Sequence, residues 1–190
     1  MKRGWLAASV VVSLVWVSST AYAFWYFQGQ HLGAYPESQT WMAFQADGLP
    51  VPADAGQVRL TLFWDDVCPC SRYSEPHARE LIEMALARDE SLLVIVPHGR
   101  GREQAASRFP DLPQDAIHVR PSPVEGFVSP SAAVHDRRGD LVYAGPLGEG
   151  AGCVTDADGF LDSALAAVRA GDTTAVINTT ASGCFCPWRS

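Results

Sequence analysis

The sequence predicts an α/β fold: a mixed sheet flanked by helices, preceded by one N-terminal transmembrane helix. Three observations carry that expectation. Residues 4–27 hold twenty-four positions without a charge. Short apolar runs alternate with stretches of helical periodicity between residues 57 and 120, and a hairpin pattern followed by a helical one closes the series by residue 172. Buried strands joined through helices indicate an α/β sheet, and a hairpin within it makes that sheet mixed.

The elements follow in order. After "MKR", the run "GWLAASVVVSLVWVSSTAYAFWYF" is long enough to cross a hydrocarbon core of about 30 Å. "AYA" at 21–23 fits the small-x-small pattern of a signal-peptide cleavage site, whereas "FWYF" at 24–27 is an aromatic cluster suited to a membrane–water boundary. Cleavage would leave a chain beginning on exposed aromatics, so an uncleaved anchor is the expectation. Lys2 and Arg3 before the span keep the N-terminus cytoplasmic and export the rest.

Residues 28–56 read as a membrane-proximal segment, with "YPESQTWMAFQA" helical and "DGLPVPADAGQ" a connection. "VRLTLFW" (58–64) and "SLLVIVPH" (91–98) are buried strands. Between them, residues 71–89 place Tyr73, Leu81, Ile82, Ala85 and Leu86 at helical spacing, with Pro76 as a kink or the true start. "GREQAASRF" is a short helix and "AIHVR" (116–120) a short strand. "SPSAAVHDRRGDLVYAGPL" (129–147) is a hairpin around "RRGD", and residues 159–172 form an amphipathic helix ending at Gly171. The expected domains are a 1–28 anchor, a 29–56 connector, a 57–172 folded domain and a 173–190 cysteine-containing tail.

Composition narrows the function. The 190 residues carry 14 bases and 21 acids, a net charge of −7, and two of those bases lie in the leader. No basic patch is visible, which argues against nucleic acid, bound mainly through clustered Lys and Arg. The five cysteines, 68, 70, 153, 184 and 186, stand in an exported chain, where thiols meet an oxidising environment.

"LFWDDVCPCSRYSEP" and "FVSPSAAVHDRRGDLVYAGPL" resemble the thioredoxin-like superfamily, over residues 55–170. Phe63-Trp64 precede Cys68, and Pro76 lies eight residues beyond it. The resemblance makes Pro130 the family's cis-proline, set beside the cysteines, and the sheet thioredoxin-like. More narrowly, the "CPC" motif, "AGPLGEGAGC" and the terminal "CFCPW" resemble a bacterial thioredoxin-like family whose domain has no assigned function. That resemblance implies a single-pass protein of the bacterial inner (cytoplasmic) membrane with its C-terminal domain in the periplasm. Its partners would be protein thiols or disulfides, with no cofactor.

One departure matters. The helix entry reads Cys68-Pro69-Cys70-Ser71, so the second cysteine sits one place early and a serine takes its usual position. A Cys68–Cys70 bond would close a tight ring and be easily reduced; equally, Cys68 could act as a lone nucleophile with its resolving thiol elsewhere. Within the resemblance, Cys68 is the attacking thiolate, Cys70 resolves the mixed disulfide and Pro130 holds the partner's backbone. A helix N-terminus and Arg72 favour the thiolate, while Asp65 and Asp66 oppose it. His77 is expected to be an exposed polar residue.

The tail repeats the Cys-x-Cys spacing. Cys184 and Cys186 are either a second redox couple relaying electrons to the first, with Cys153 as intermediate, or staples to Cys153 with Phe185, Pro187 and Trp188 anchoring the tail. Thiolate ligation of Cu(I) or zinc is a third reading, although one-residue spacing is short for structural zinc. A non-catalytic binding domain stapled by disulfides is a fourth. His31, His98, His118 and His135 are scattered and read as surface or loop residues. "GPLGEGAG" lacks the lysine of a phosphate loop and "NTT" (178–180) is a weak glycosylation pattern.

Overall fold

The computed structural model describes residues 2–27, 32–34, 56–97, 99–120, 127–148, 159–172, 174, 176–177, 182–184 and 186–188. Helix α1 (Lys2–Phe27) is apolar all round, and its described side chains are exposed. Its segment Gly4–Phe27 is long and apolar enough to cross a membrane. Tyr22 packs on Trp25 and Tyr26, and Tyr26 on Phe27, grouping the aromatics at its C-terminal end.

Strand β1 (Leu32–Ala34) comes next, then β2 (Arg59–Phe63), helices α2 (Pro69–Tyr73) and α3 (Glu75–Ala87), and strand β3 (Ser91–Val96). Helix α4 (Gly99–Arg108) and a 3-10 turn lead to β4 (Ile117–Val119). Strands β5 (Val128–Ser129), β6 (Ser131–His135) and β7 (Leu141–Pro146) precede helix α5 (Phe160–Arg169), and β8 (Val176–Ile177), β9 (Ser182–Cys184) and β10 (Cys186–Pro187) end the series.

Six strands form the main sheet in the order β4-β3-β2-β6-β7-β8. The β2–β3, β3–β4 and β7–β8 pairs are parallel, while β2–β6 and β6–β7 are antiparallel. The mixed, helix-flanked sheet expected from the sequence is therefore present, and β8 extends it beyond the hairpin. Two small antiparallel pairs lie outside it: β1 with β9, and β10 with β5.

Period-2 alternation sorts the strand residues between two clusters. Leu60, Leu62, Val94, Val96, Ala132 and Val134 pack with Ala78, Leu81, Ile82 and Ala85 of α3, Ala105 of α4, and Leu161, Ala164, Leu165 and Val168 of α5. Phe63, Leu93, Ile95, Ala133 and Ala144 form the second cluster with Phe127, Val128, Leu141 and Trp188. The tail thus contributes a core residue, as its anchoring by Trp188 required.

The expected helix over 71–89 is two helices. Ser74 closes α2 and opens α3, with Pro76 in the first turn of α3, where a missing N–H costs nothing. Gly171, at φ 91°, follows the C-cap of α5 as expected. The "RRGD" turn holds Gly139 at φ 86°, and Asp136 Oδ1 accepts the N–H groups of Arg138 and Asp140 at 2.8 and 2.9 Å. The helix expected within 35–46, the glycine-rich loop from residue 149 onward, the "NTT" tripeptide, His31 and His98 lie outside the described residues.

Two histidines differ from expectation. His77 is buried, its Nε2 3.4 Å from Asp162 Oδ2, because α3 and α5 pack on the same cluster. His135 is buried directly opposite Arg59 across the β2–β6 pair. Burial first, and then the Arg59 charge, push His135 down to about 4, against a smaller upward pull from Asp136. The folded state therefore keeps this imidazole neutral where an unfolded one, titrating near 6.5, takes up a proton. Stability should be lost as pH falls from about 6.5 to about 4, by up to about 3 kcal/mol from this group. Urea unfolding across that range should show the slope, and His135→Gln should flatten it.

Candidate functional site: a three-cysteine cluster at a helix entry

The site begins where β2 ends. Trp64 N–H donates to Ile95 O at 2.9 Å, and residues 65–67 turn the chain into α2. Cys68 is the N-cap, with extended φ −69° and ψ 122°, and Pro69 opens the helix. Ser71 N–H donates to Cys68 O at 3.1 Å, and Ser74 N–H to Cys70 O at 3.0 Å. Both cysteines are buried, as is Ser71, whose hydroxyl has no hydrogen-bond partner among the described residues.

On the other side stands the Ser129-Pro130 peptide, which is cis. Cys68 Sγ lies 3.2 Å from Ser129 O. Ser129 and Pro130 are both buried, and Pro130 O accepts Leu147 N–H at 3.3 Å. The cis peptide thus meets Cys68 through the Ser129 carbonyl.

The sulfur of Cys68 is bonded to Cys186, 118 positions away, with Cα atoms 5.8 Å apart. This replaces the Cys68–Cys70 bond weighed above, and it also prevents Cys184 and Cys186 from pairing with each other. Cys70 is disulfide-bonded as well, and its sulfur, Cys68's and Cys186's all lie within 4.8 Å of one another. Cys186 is half-buried, whereas Cys68 is buried. Cys153 and the side chain of Cys184 lie outside the described residues.

The tail reaches this place as a strand. Cys186 pairs with Ser129, and Pro187 with Val128, in antiparallel register. Trp188 N–H donates to Phe127 O at 2.9 Å. The Trp188 ring stacks on Phe127 at 5.2 Å between centroids and is tilted against Phe63 at 6.3 Å. Its Nε1–H donates to Ser129 Oγ. Phe127 and Ser129 escaped the sequence reading. Ser129's place just before Pro130 was the one available signal, since a cis-proline brings its preceding residue to the same surface.

Electrostatics around the helix entry are milder than the Asp65-Asp66 pair implies. Arg108 Nε lies 3.2 Å from Asp66 Oδ1 and its Nη1 3.0 Å from Glu75 Oε2, while Arg79 also holds Glu75 at 2.8 Å. Asp66 is thereby neutralised by Arg108 instead of repelling a thiolate at Cys68. Arg72 Nε donates to Asp66 O at 3.4 Å. A disulfide sulfur has no proton to give, so the Cys68–Ser129 approach is a contact in this form. In the reduced protein Ser129 O would lie within hydrogen-bond reach of the Cys68 thiol.

The mixed sheet with its flanking helices makes the fold thioredoxin-like. The chain belongs to the family described as "Domain of unknown function (DUF6436)", which matches residues 38–188. Solved structures similar to it include an uncharacterised conserved protein from Geobacillus kaustophilus, at 14% identity and TM-score 0.50 over 70% of this chain and 78% of that one. A hypothetical protein from Sinorhizobium meliloti 1021 is 16% identical, with TM-score 0.49 over 72% and 82%. The pneumococcal exposed lipoprotein thioredoxin of Streptococcus pneumoniae is 22% identical, with TM-score 0.41 over 60% and 87%. These likenesses concern the fold alone. No curated protein matches the chain.

Proposed function

We propose that this protein exchanges thiols and disulfides with partner proteins, anchored by α1 in the bacterial inner membrane with its folded domain in the periplasm. The observation that carries the reading is the Cys68–Cys186 bond. It joins a cysteine at a helix entry, beside a cis-proline, to a half-buried cysteine on a two-residue strand. The orientation rests on Lys2 and Arg3 preceding the span.

The chemistry balances as follows. A partner thiolate attacks Cys186 Sγ, on the less buried of the two cysteines, and Cys68 departs as thiolate at the helix N-terminus. Leaving thiols of lower pKa depart faster, and the helix entry assists this one. The partner's second thiolate then attacks its own sulfur in the mixed disulfide and releases Cys186. The partner dithiol becomes a disulfide, and Cys68 and Cys186 gain its two electrons and two protons. Pro130 and Ser129 hold the backbone of the attacked segment. The freed Cys68 thiolate can in turn attack the nearby Cys70 sulfur, forming a Cys68–Cys70 bond and releasing Cys70's disulfide partner as a thiolate.

The test uses the full chain in detergent, oxidised, mixed with a reduced dithiol peptide. Rapid peptide oxidation is expected, with Cys68→Ser and Cys186→Ser each abolishing it. Exchange at the wild-type rate in Cys68→Ser would refute the assignment. A bond that resists thioredoxin-strength reductants would instead mark a stapled, non-catalytic binding domain.

A second reading rests on the three sulfurs within 4.8 Å, which when reduced make a soft donor set for Cu(I). It requires stoichiometric Cu(I) on the anaerobically reduced chain, lost when Cys68 and Cys70 are both replaced by serine.

A further inference from the structure

The tail meets the site through more than its sulfur. Cys186 and Pro187 pair with β5, Trp188 N–H continues that ladder to Phe127 O, and the buried indole fills a slot walled by Phe127 and Phe63. Ser129 Oγ accepts the indole N–H there. Pro187, between the two anchored positions, is exposed. The arrangement reads a cysteine, ignores the next residue, and reads a tryptophan two places on.

From this geometry we infer that β5 and the Phe63–Phe127–Ser129 slot form a recognition site for extended Cys-x-Trp segments of partner proteins, and that the chain's own residues 186–188 are its tethered resident ligand. The inference deepens the thiol-exchange reading and rests on it for the role of the cysteine. The occupant's chemistry follows from the resident. An extended backbone is required, because an edge strand left without its partner presents unpaired N–H and C=O groups. An aromatic ring is required because the slot is lined by rings in stacked and tilted contact. Tryptophan is favoured over phenylalanine because only the indole donates a hydrogen bond to the buried Ser129 hydroxyl, which is otherwise left without this donor. Reduction of the Cys68–Cys186 bond frees the resident from its covalent hold, so partner segments then compete with a strand held by only short pairing.

The probe is a redox-inert fluorescent peptide in which serine replaces the cysteine, Ser-Pro-Trp within a neutral polar flank, with Ser-Pro-Phe and Ser-Pro-Ala as controls. The protein is the full chain in detergent carrying Cys186→Ser and Trp188→Ala, which vacates the slot without shortening the tail. The Trp peptide is expected to bind at least about tenfold tighter than the Ala peptide, the size of one well-buried aromatic anchor. Adding Ser129→Ala should shrink the Trp-over-Phe preference. Equal binding of the three peptides would overturn the proposal.

Should that variant fail to fold, hydrogen exchange on the wild-type chain supplies the reading. On reduction, the amides of Phe127, Ser129 and Trp188 should lose protection; the Trp peptide in excess should restore it at Phe127 and Ser129 but not at the displaced Trp188, and unchanged protection would count against the site. Because the peptides contain no sulfur, their binding survives a failure of the exchange chemistry. Exchange that treats Trp and Ala partners alike would reject the slot and leave the chemistry standing.

Discussion

Replacing Cys68 and Cys186 together by serine is expected to lower the unfolding free energy by about 3–5 kcal/mol, the range for a cross-link closing a loop of this length. The two residues are 118 positions apart, so the bond removes a large share of the unfolded chain's freedom. It also fixes the short pairing of β10 with β5, whose few backbone hydrogen bonds contribute little alone. Urea titration of the full chain in detergent, followed by tryptophan fluorescence, should show the midpoint fall. A midpoint unchanged by the double substitution would mean the bond constrains nothing that unfolding releases.

Phe63→Ala should be comparably severe, at about 3–5 kcal/mol for truncating a fully buried aromatic. Phe63 ends β2 on the side of the sheet that holds the second cluster, 5.2 Å from the Phe127 ring and 6.3 Å from that of Trp188. Its removal leaves a cavity beneath the tail. In a double-mutant cycle, Phe63→Ala and Trp188→Ala should therefore couple, by roughly 0.5–3 kcal/mol. Trp64 is the control. It belongs to the first cluster and packs edge-on against Phe109 at 5.1 Å, so Trp64→Ala and Trp188→Ala should simply add. Additivity of the Phe63 pair would show that the tail's indole is not supported from below.

The strands of the main sheet were legible because burial on both faces makes them short apolar runs. Leu60, Leu62 and Phe63 already announce one, as do residues 91–96. The helix entry was legible through Pro76, whose fixed φ suits only a first turn, and the hairpin through Gly139, which can take the positive φ of its turn. The cis peptide at Pro130 came through resemblance alone. Strands β1, β5, β9 and β10 were not legible. Each has two or three residues and no periodicity, and each exists because a distant segment lies alongside. The cysteine pairing was hidden for the same reason, since spacing along the chain does not say which sulfur the fold brings to Cys68. His77 and His135 were misread because a polar side chain says nothing about which helix or strand will cover it.

The β1–β9 pair has a further consequence. Leu32 lies opposite Cys184, five residues beyond the end of α1 and two before Cys186. Fully extended chain covers at most about 3.6 Å per residue, and a paired strand adds about 5 Å. If α1 spans a bilayer as proposed, the Cys68–Cys186 bond is leashed within about 30 Å of the point where the helix leaves the lipid. On the proposed thiol-exchange reading, such a leash, shorter than many soluble proteins are wide, would favour clients that are themselves embedded in that surface or come down to graze it.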